Sequence, residues 1–499
     1  MRNPIAMPSV HEALRAGLEH QQHGRWEEAE RIYREVLACR PGHPDALHLL
    51  GVLAAQRGRF EEAAALIGLA IARNPAAAGY HNNLGNVMQE LGRHSDSLLC
   101  YQEALRLQPA YAEALVNLGN ALNKLDRFSE ALGCYLEAQR LRPDWAGVYV
   151  NLGHALIDEG LLGEAMACIE EALRLEPDNA QAHAARALIW LLEGDLERGF
   201  LEYEWRWALE PRQSPEFAAP PWDGSPLEGR TVLLWAEQGL GDTIQFLRYV
   251  PAVKRMGGRV VVECQPRLVE LARTVEGADQ VIGRGEALPA FDCHAPLMSL
   301  PRLLGTTLRT IPRNVPYLRA PEPGPDWPPL PGEGSLRVGV AWAGNPSHKN
   351  DRRRSMSPED LAPLADLDNV TLVSLQAGPK AEQAAATPPG LRLERLPEQW
   401  LLLPGLAAAI ERMDLIITVD TLHAHLAGAL GRPAWVLLSF APDWRWMCER
   451  TDSPWYPSLR LFRQPRRGDW AAVVARVRRE LERLACQGKS CGEGPAQNA

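Results

Sequence analysis

Three stretches of this chain carry side chains whose types and spacing suit chemistry on a phosphate ester. The first is Thr231-Val-Leu-Leu-Trp-Ala-Glu-Gln-Gly-Leu-Gly-Asp242, an apolar run that ends in two glycines and a carboxylate. Gly239 and Gly241 let the backbone turn sharply and come close to a ligand. A helix starting there points amide N–H groups and its positive end at an anion. Asp242 stands three residues before Gln245, the spacing of a helix N-cap with a reciprocal partner. The second stretch is the cationic run Lys349-Asn-Asp-Arg-Arg-Arg354. Either it is a solvated loop, or Lys349 and Arg354 offset the charge of a phosphate ligand, a task that suits the arginine fork. The third is Asp420-Thr-Leu-His-Ala-His425, where Asp420 and Thr421 can cap a second helix. His423 and His425 lie about 200° apart round that helix, so they cannot hold one metal from one face. Ile244 stands where a G-x-G-x-x-G fingerprint needs its third glycine, which disfavours a nicotinamide or flavin cofactor.

Each of these stretches begins in an apolar run suited to a strand buried in a parallel sheet, or follows one closely. Between 231 and 320 such runs (Thr231–Ala236, Arg259–Cys264, Gln280–Ile282, Phe291–Leu297) alternate with helical patterns, among them Pro266–Val275. A proline-dense break over 319–334 follows. The alternation restarts over 336–486 with Leu336–Ala343, Val370–Leu375, Leu391–Leu396, Leu415–Val419 and Ala434–Ser439. Two α/β lobes are expected, with a ligand cleft between them at the strand ends. Residues 210–230 are rich in proline and read as a semi-rigid linker, and 487–499 as a disordered tail.

The first two hundred residues repeat. Prolines fall at 41, 75, 109, 143 and 177 and glycines at 17, 51, 85, 119 and 153, each series stepping by 34. Ala29, Ala63, Ser97, Ala131 and Ala165 keep the register, as do the bulky Tyr33, Ile67, Tyr101, Tyr135 and Ile169. Small residues allow two helices of a hairpin to approach, large ones fill the space behind, and proline ends the second helix. A degraded sixth unit over about 180–209 is expected to cap the array, giving an α-solenoid over 1–209. Asn83, Asn117 and Asn151 share one repeat position, and Asn86 and Asn120 another. Stacked units would line up these amides, which can hold an extended peptide by its backbone or simply bond neighbouring helices to each other.

Net charge is −9, which argues against a general nucleic-acid binder. No stretch is long and apolar enough for a membrane span, and the start lacks the apolar core of a signal peptide. Nine scattered cysteines without C-x-x-C indicate neither a disulfide framework nor a zinc site. A cytoplasmic protein is expected.

The 34-residue pattern resembles the tetratricopeptide repeat, and the asparagine series is similar to the ladder in the repeat domain of the animal O-GlcNAc transferases. Val419-Asp-Thr-Leu-His-Ala-His-Leu-Ala-Gly-Ala-Leu-Gly-Arg-Pro433 resembles the D-T-x-x-x-H-L-x-x-A-L-x-x-P signature of the heptosyltransferases, glycosyltransferase family 9, and Gly239-Leu-Gly-Asp242 resembles their G-x-G-D. Leu422 replaces the usual glycine after Asp-Thr. Val338–Gly344 with the basic run, and Phe440–Trp446 through Gln464, extend the match. The resemblance implies a two-lobed GT-B fold that moves a sugar from a nucleotide diphosphate without a bound metal, inverting at the anomeric carbon. It makes Asp242 the general base. Gly239, Gly241, Lys349, Arg354, Asp420, Thr421 and His425 become donor contacts, with His425 alternatively a buried histidine. Asn83, Asn86, Asn117, Asn120 and Asn151 would hold a polypeptide acceptor. Asp366-Leu-Asp368 reads as surface, and Trp444 and Trp446 as core. Protein O-glycosylation is the leading expectation, flagellin being one acceptor of such enzymes. A saccharide or lipid-linked acceptor and a non-catalytic repeat scaffold are the alternatives.

Overall fold

A computed structural model describes residues 9–210, 215–324, 327–348, 350–385 and 387–490. The chain divides into two compact units, 1–182 and 183–499.

The first unit is a series of paired helices, from Val10–Gln22 with Trp26–Cys39 to Ala146–Asp158 with Leu162–Leu175. The repeated glycines explain how each pair closes. A Cβ on Gly17, Gly51, Gly85, Gly119 or Gly153 would lie 2.5–2.6 Å from a side-chain carbon of Tyr33, Ile67, Tyr101, Tyr135 or Ile169 respectively, so any side chain there would displace the bulky partner. Ala29, Ala63, Ser97, Ala131 and Ala165 are fully buried. The Ser97 hydroxyl is satisfied by its own helix, donating to the His94 carbonyl at 2.7 Å. Each second helix stops two residues before its proline, as at Cys39 and Leu107, because the proline ring disfavours helical geometry in the preceding residue.

The second unit holds two wholly parallel sheets. β1 (Thr231–Trp235), β2 (Arg259–Cys264), β3 (Gln280–Gly283) and β4 (Cys293–Pro296) are ordered β3-β2-β1-β4. β5 (Leu336–Ala341), β6 (Val370–Ser374), β7 (Leu393–Arg395), β8 (Leu415–Val419), β9 (Ala434–Leu438) and β10 (Leu459–Arg463) are ordered β10-β9-β8-β5-β6-β7. In the register Val338 faces Leu415 and Val340 faces Ile417, so the strand order reverses between β5 and β8. It reverses likewise beside β1, where Val232 faces both Val260 and Cys293. Such switch points leave a crevice at the carboxyl ends of the strands.

Several boundaries differ from expectation. The helix expected over Pro266–Val275 is a 3-10 turn followed by a short helix, Val269–Ala272. The tail predicted from 487 is helical through Ser490, because Trp470–Ser490 is one helix whose Val473, Val474, Val477 and Leu481 are buried in the core of the second sheet; residues 491–499 lie outside the described residues. Beyond the undescribed 211–214, the linker runs along a sheet edge. Trp222 N–H donates to the His294 carbonyl at 2.7 Å, and Trp222 and Leu227 are buried. Among the described residues, no helix is long and apolar enough to cross a membrane.

Candidate active site at the strand ends

β1 runs into Glu237, Gln238 and Gly239. The Glu237 carboxylate takes both Nε and Nη2 of Arg206 (2.8 and 3.1 Å) and the Met298 N–H (3.1 Å), which ties the ends of β1 and β4 together. Gly239, in an extended conformation, is the N-cap of the Leu240–Leu247 helix. Asp242 is therefore not the cap but the third helical residue, and its Oδ2 accepts the Gly239 N–H at 2.9 Å. The helix begins three residues earlier than the Asp242–Gln245 spacing suggests, and Gln245 turns to another partner. Arg445 donates Nη2 to Asp242 Oδ1 (2.5 Å), Nε to Gln245 Oε1 (2.6 Å) and Nη1 to Asp443 Oδ1 (2.8 Å). Arg445 is buried, with its guanidinium 4.3 Å from the centre of the Trp444 ring. Burial opposes its charge, but Asp443 and Asp242 outweigh that and raise its pKa further.

After β8, Asp420 is half-buried and Thr421 caps the Leu422–Ala429 helix. The Thr421 hydroxyl is committed inward, 3.1 Å from Thr418 Oγ1 and 3.0 Å from His423 Nδ1, while His423 Nε2 meets the Leu375 carbonyl at 3.0 Å. His425 points the other way. Its Nδ1 lies 3.0 Å from the Tyr456 hydroxyl and its ring stacks on Trp446 at 5.6 Å. Burial holds its pKa well below the usual imidazole range, with Arg445, Arg248 and Arg354 adding to the effect, so the ring is neutral. A Cβ on Gly241 would lie 2.9 Å from His425 Cδ2. The bare backbone of Gly241 thus serves the close approach of the two helices that carry the glycine loop and the Asp-Thr pair.

The loop after β5 is wound round Asp351, which accepts from Ser355 Oγ (2.7 Å) and Lys380 Nζ (2.8 Å). Gly344 leaves room for this, since a Cβ there would lie 2.8 Å from Asp351 Oδ1 and 2.9 Å from Arg354 Nη2. Arg354 Nε is buried without a hydrogen bond among the described residues. Lys349 lies outside the described residues. Burial and the Asp443 charge push the Asp420 pKa up to about 6, against the pull of Arg354, the Trp446 indole and Arg445. The indole N–H stands near this carboxylate without good hydrogen-bond geometry to any acceptor among the described residues. An acid whose pKa is raised by folding binds more protons folded than unfolded between about pH 4 and pH 6. Its contribution to stability is therefore full at lower pH and is lost as pH rises through 6. Relative to wild type, Asp420→Asn is expected to gain in unfolding temperature between about pH 4 and pH 7; a difference that stays level across that range would contradict this placement.

Gly239, Gly241, Asp242, Arg354, Asp420, Thr421 and His425 thus converge at the strand ends, with Thr421 turned inward. Arg445, Asp443 and Tyr203 join them, although none was among the expected site residues. Tyr203 receives a hydrogen bond from Gln238 Nε2 (3.3 Å) within electrostatic reach of Arg445 and Asp242. An arginine flanked by two tryptophans just past β9 was the available signal for the first two, whereas Tyr203 sits in a helical segment with no local mark. Trp444 and Trp446 are core, and Asp366 and Asp368 are exposed. Two surface depressions, of about 460 Å³ beside Glu27–Ala38 and about 500 Å³ beside Glu193–Glu197 and Thr307–Arg309, contain none of these residues.

In the repeats, every candidate asparagine has a partner. Tyr101 and Tyr135 donate to Asn86 Oδ1 (2.8 Å) and Asn120 Oδ1 (2.7 Å), clamping each hairpin internally. Asn117 donates to Asn82 Oδ1 (3.0 Å), Asn83 meets His48 Nε2 (2.9 Å), and Asn151 donates to the Gly147 carbonyl (2.7 Å). An amide has up to four hydrogen-bonding positions, so each keeps capacity for another partner.

Tetratricopeptide repeat models match residues 14–78, 112–144 and 146–179, and a TPR repeat model matches 89–126. Protein FlbA of Caulobacter vibrioides is 28% identical over 333 residues, covering 60% of this chain and 55% of FlbA, so the chain spans about half the length of that curated relative. Among solved structures, the APC/C hetero-tetramer Cut9-Hcn1 (20% identity, 40% of each chain, TM-score 0.38) and Pseudomonas aeruginosa pilF (20% identity, 40% of this chain, 92% of that one, TM-score 0.37) are similar to it. A thermophilic TPR protein of Thermus thermophilus is another (23% identity, 37% and 100% coverage, TM-score 0.34). The amino-terminal part of the chain is a tetratricopeptide-repeat solenoid, followed by an α/β region built on two parallel sheets.

Proposed function

We propose that the chain is a metal-independent glycosyltransferase of GT-B type that moves a sugar from a nucleotide diphosphate to a polypeptide bound by the repeats. The observation that carries this reading is the convergence of Asp242, Arg354 and Asp420 from the ends of β1, β5 and β8 at the strand-order switch points. In the reaction a serine or threonine hydroxyl of the acceptor attacks the anomeric carbon. Its proton passes to Asp242, the bond from the anomeric carbon to the diphosphate oxygen breaks, and the nucleoside diphosphate leaves with its charge offset by Arg354 and Lys349. Asp420 and the amides at the head of its helix face the donor, and neutral His425 braces the two helices. The asparagines hold the acceptor backbone through the hydrogen-bonding positions left to them.

The test is a thermal-shift screen of the full chain against UDP-, GDP-, ADP- and dTDP-sugars, then intact-mass analysis of candidate acceptor proteins co-expressed with it. A donor at a hundred-fold excess over its dissociation constant is expected to stabilise the fold by about 2.7 kcal/mol, and an acceptor to gain whole sugar masses. No shift with any donor and no mass gain would refute the proposal. Two observations favour the non-catalytic scaffold as a second reading: the two helices bearing Gly241 and His425 pack directly, and both oxygens of Asp242 already have donors.

A further inference from the structure

Arg445 joins residues that lie about two hundred positions apart in sequence, and its role rests on the transferase reading above. We propose that Arg445 is the positioning residue of the base, holding the Asp242 carboxylate in one orientation from the opposite lobe so that proton acceptance requires the two lobes to be together.

Three acceptors, Asp242 Oδ1, Gln245 Oε1 and Asp443 Oδ1, surround the guanidinium at 2.5, 2.6 and 2.8 Å. Asp242 and Gln245 stand on the helix after β1, Asp443 and Arg445 in the turn after β9. The planar fork meets these acceptors in fixed directions, whereas a lysine ammonium in the same place is a point charge on a flexible stem. Trp444 closes one face of the fork and the Asp443 side chain caps the turn, accepting the Arg445 N–H at 3.0 Å. The guanidinium is thus fixed independently of Asp242. The other carboxylate oxygen of Asp242 is held by the Gly239 N–H at 2.9 Å, so both ends of the group are defined. An ionised carboxylate has about four acceptor positions. Two are used here, and the others remain for the acceptor hydroxyl. Arg445 stays protonated throughout, and the proton moves only from that hydroxyl to Asp242.

The test compares the full-length wild type, Arg445→Lys, Arg445→Met and Asp443→Asn, measuring nucleotide release from the sugar donor that gives the largest thermal shift among UDP-, GDP-, ADP- and dTDP-sugars. A misplacement of about 1 Å is worth roughly 10²-fold in rate. Arg445→Lys is accordingly expected to lower kcat by about 10- to 100-fold with the donor KM changed less than about two-fold, and Arg445→Met to be slower still. Asp443→Asn, which loosens the guanidinium without touching Asp242, is expected to lower kcat in the same manner and by less. Wild-type kcat in Arg445→Lys overturns the proposal while leaving the transferase reading intact. Should Arg445→Lys fail to fold, unchanged kcat in Asp443→Asn overturns it equally. A wild type that is stabilised by no donor and adds sugar to no acceptor overturns the transferase reading, and this proposal with it.

Discussion

Asp242→Asn is expected to lower kcat for sugar transfer by about 10²- to 10⁴-fold, the range that a positioned general base contributes, with donor binding retained. The asparagine keeps one acceptor oxygen. It can satisfy either Arg445 or the Gly239 N–H, but not both, so one of the two contacts at 2.5 and 2.9 Å is lost. That loss costs about 1–3 kcal/mol if a buried donor is left unpaired. Donor-induced thermal stabilisation, measured beside turnover, separates the two effects: a chemical role predicts lost turnover with preserved donor stabilisation. Turnover within about threefold of wild type would remove Asp242 from the mechanism, since a base of this kind is worth far more.

Phe200→Ala is expected to destabilise the second unit by about 3–5 kcal/mol, the cost of emptying a site filled by a buried phenylalanine. Phe200 is 1% exposed. It meets Phe246 (6.3 Å), Trp444 (5.4 Å) and Trp455 (6.4 Å) edge to face, so one ring from the segment that precedes the linker seals aromatic side chains from both sheet lobes. Denaturant unfolding followed by tryptophan fluorescence reads the change directly, because two of the three neighbours are tryptophans. A loss below about 1 kcal/mol would mean that the segment is not part of this core. The same variant bears on the site, since Trp444 lies under Arg445 and its displacement would loosen the guanidinium.

The segment containing Phe200 illustrates where local reading stops. In sequence it is a weakened sixth repeat, with Gly199 in the place of the small alanine. In the structure Gly199 still lets its two helices approach, since a Cβ there would lie 2.6 Å from Leu191 Cδ2. Yet from His183 onward the residues belong to the second compact unit, because Phe200 and Arg206 bury against the ends of its strands. Repeat identity is a short-range property, whereas membership of a core depends on which apolar surface is within reach. Asp242 shows the same limit. Its spacing from Gln245 gave a plausible cap, but an extended Gly239 started the helix earlier and a distant arginine took the glutamine.

Short-range order, then, was determined by the sequence alone: the 34-residue period, the nine expected strands, and the placing of glycine, arginine and Asp-Thr motifs just beyond three of them. These follow from backbone sterics and from apolar periodicity, which act over a few residues. Tertiary structure alone decided that β5 and β8 are neighbours, that Gly241 lies against His425, and that Asp242 is held by Arg445. Contacts across some two hundred residues are set by how the sheets are ordered and how the two lobes pack, and no local spacing encodes that.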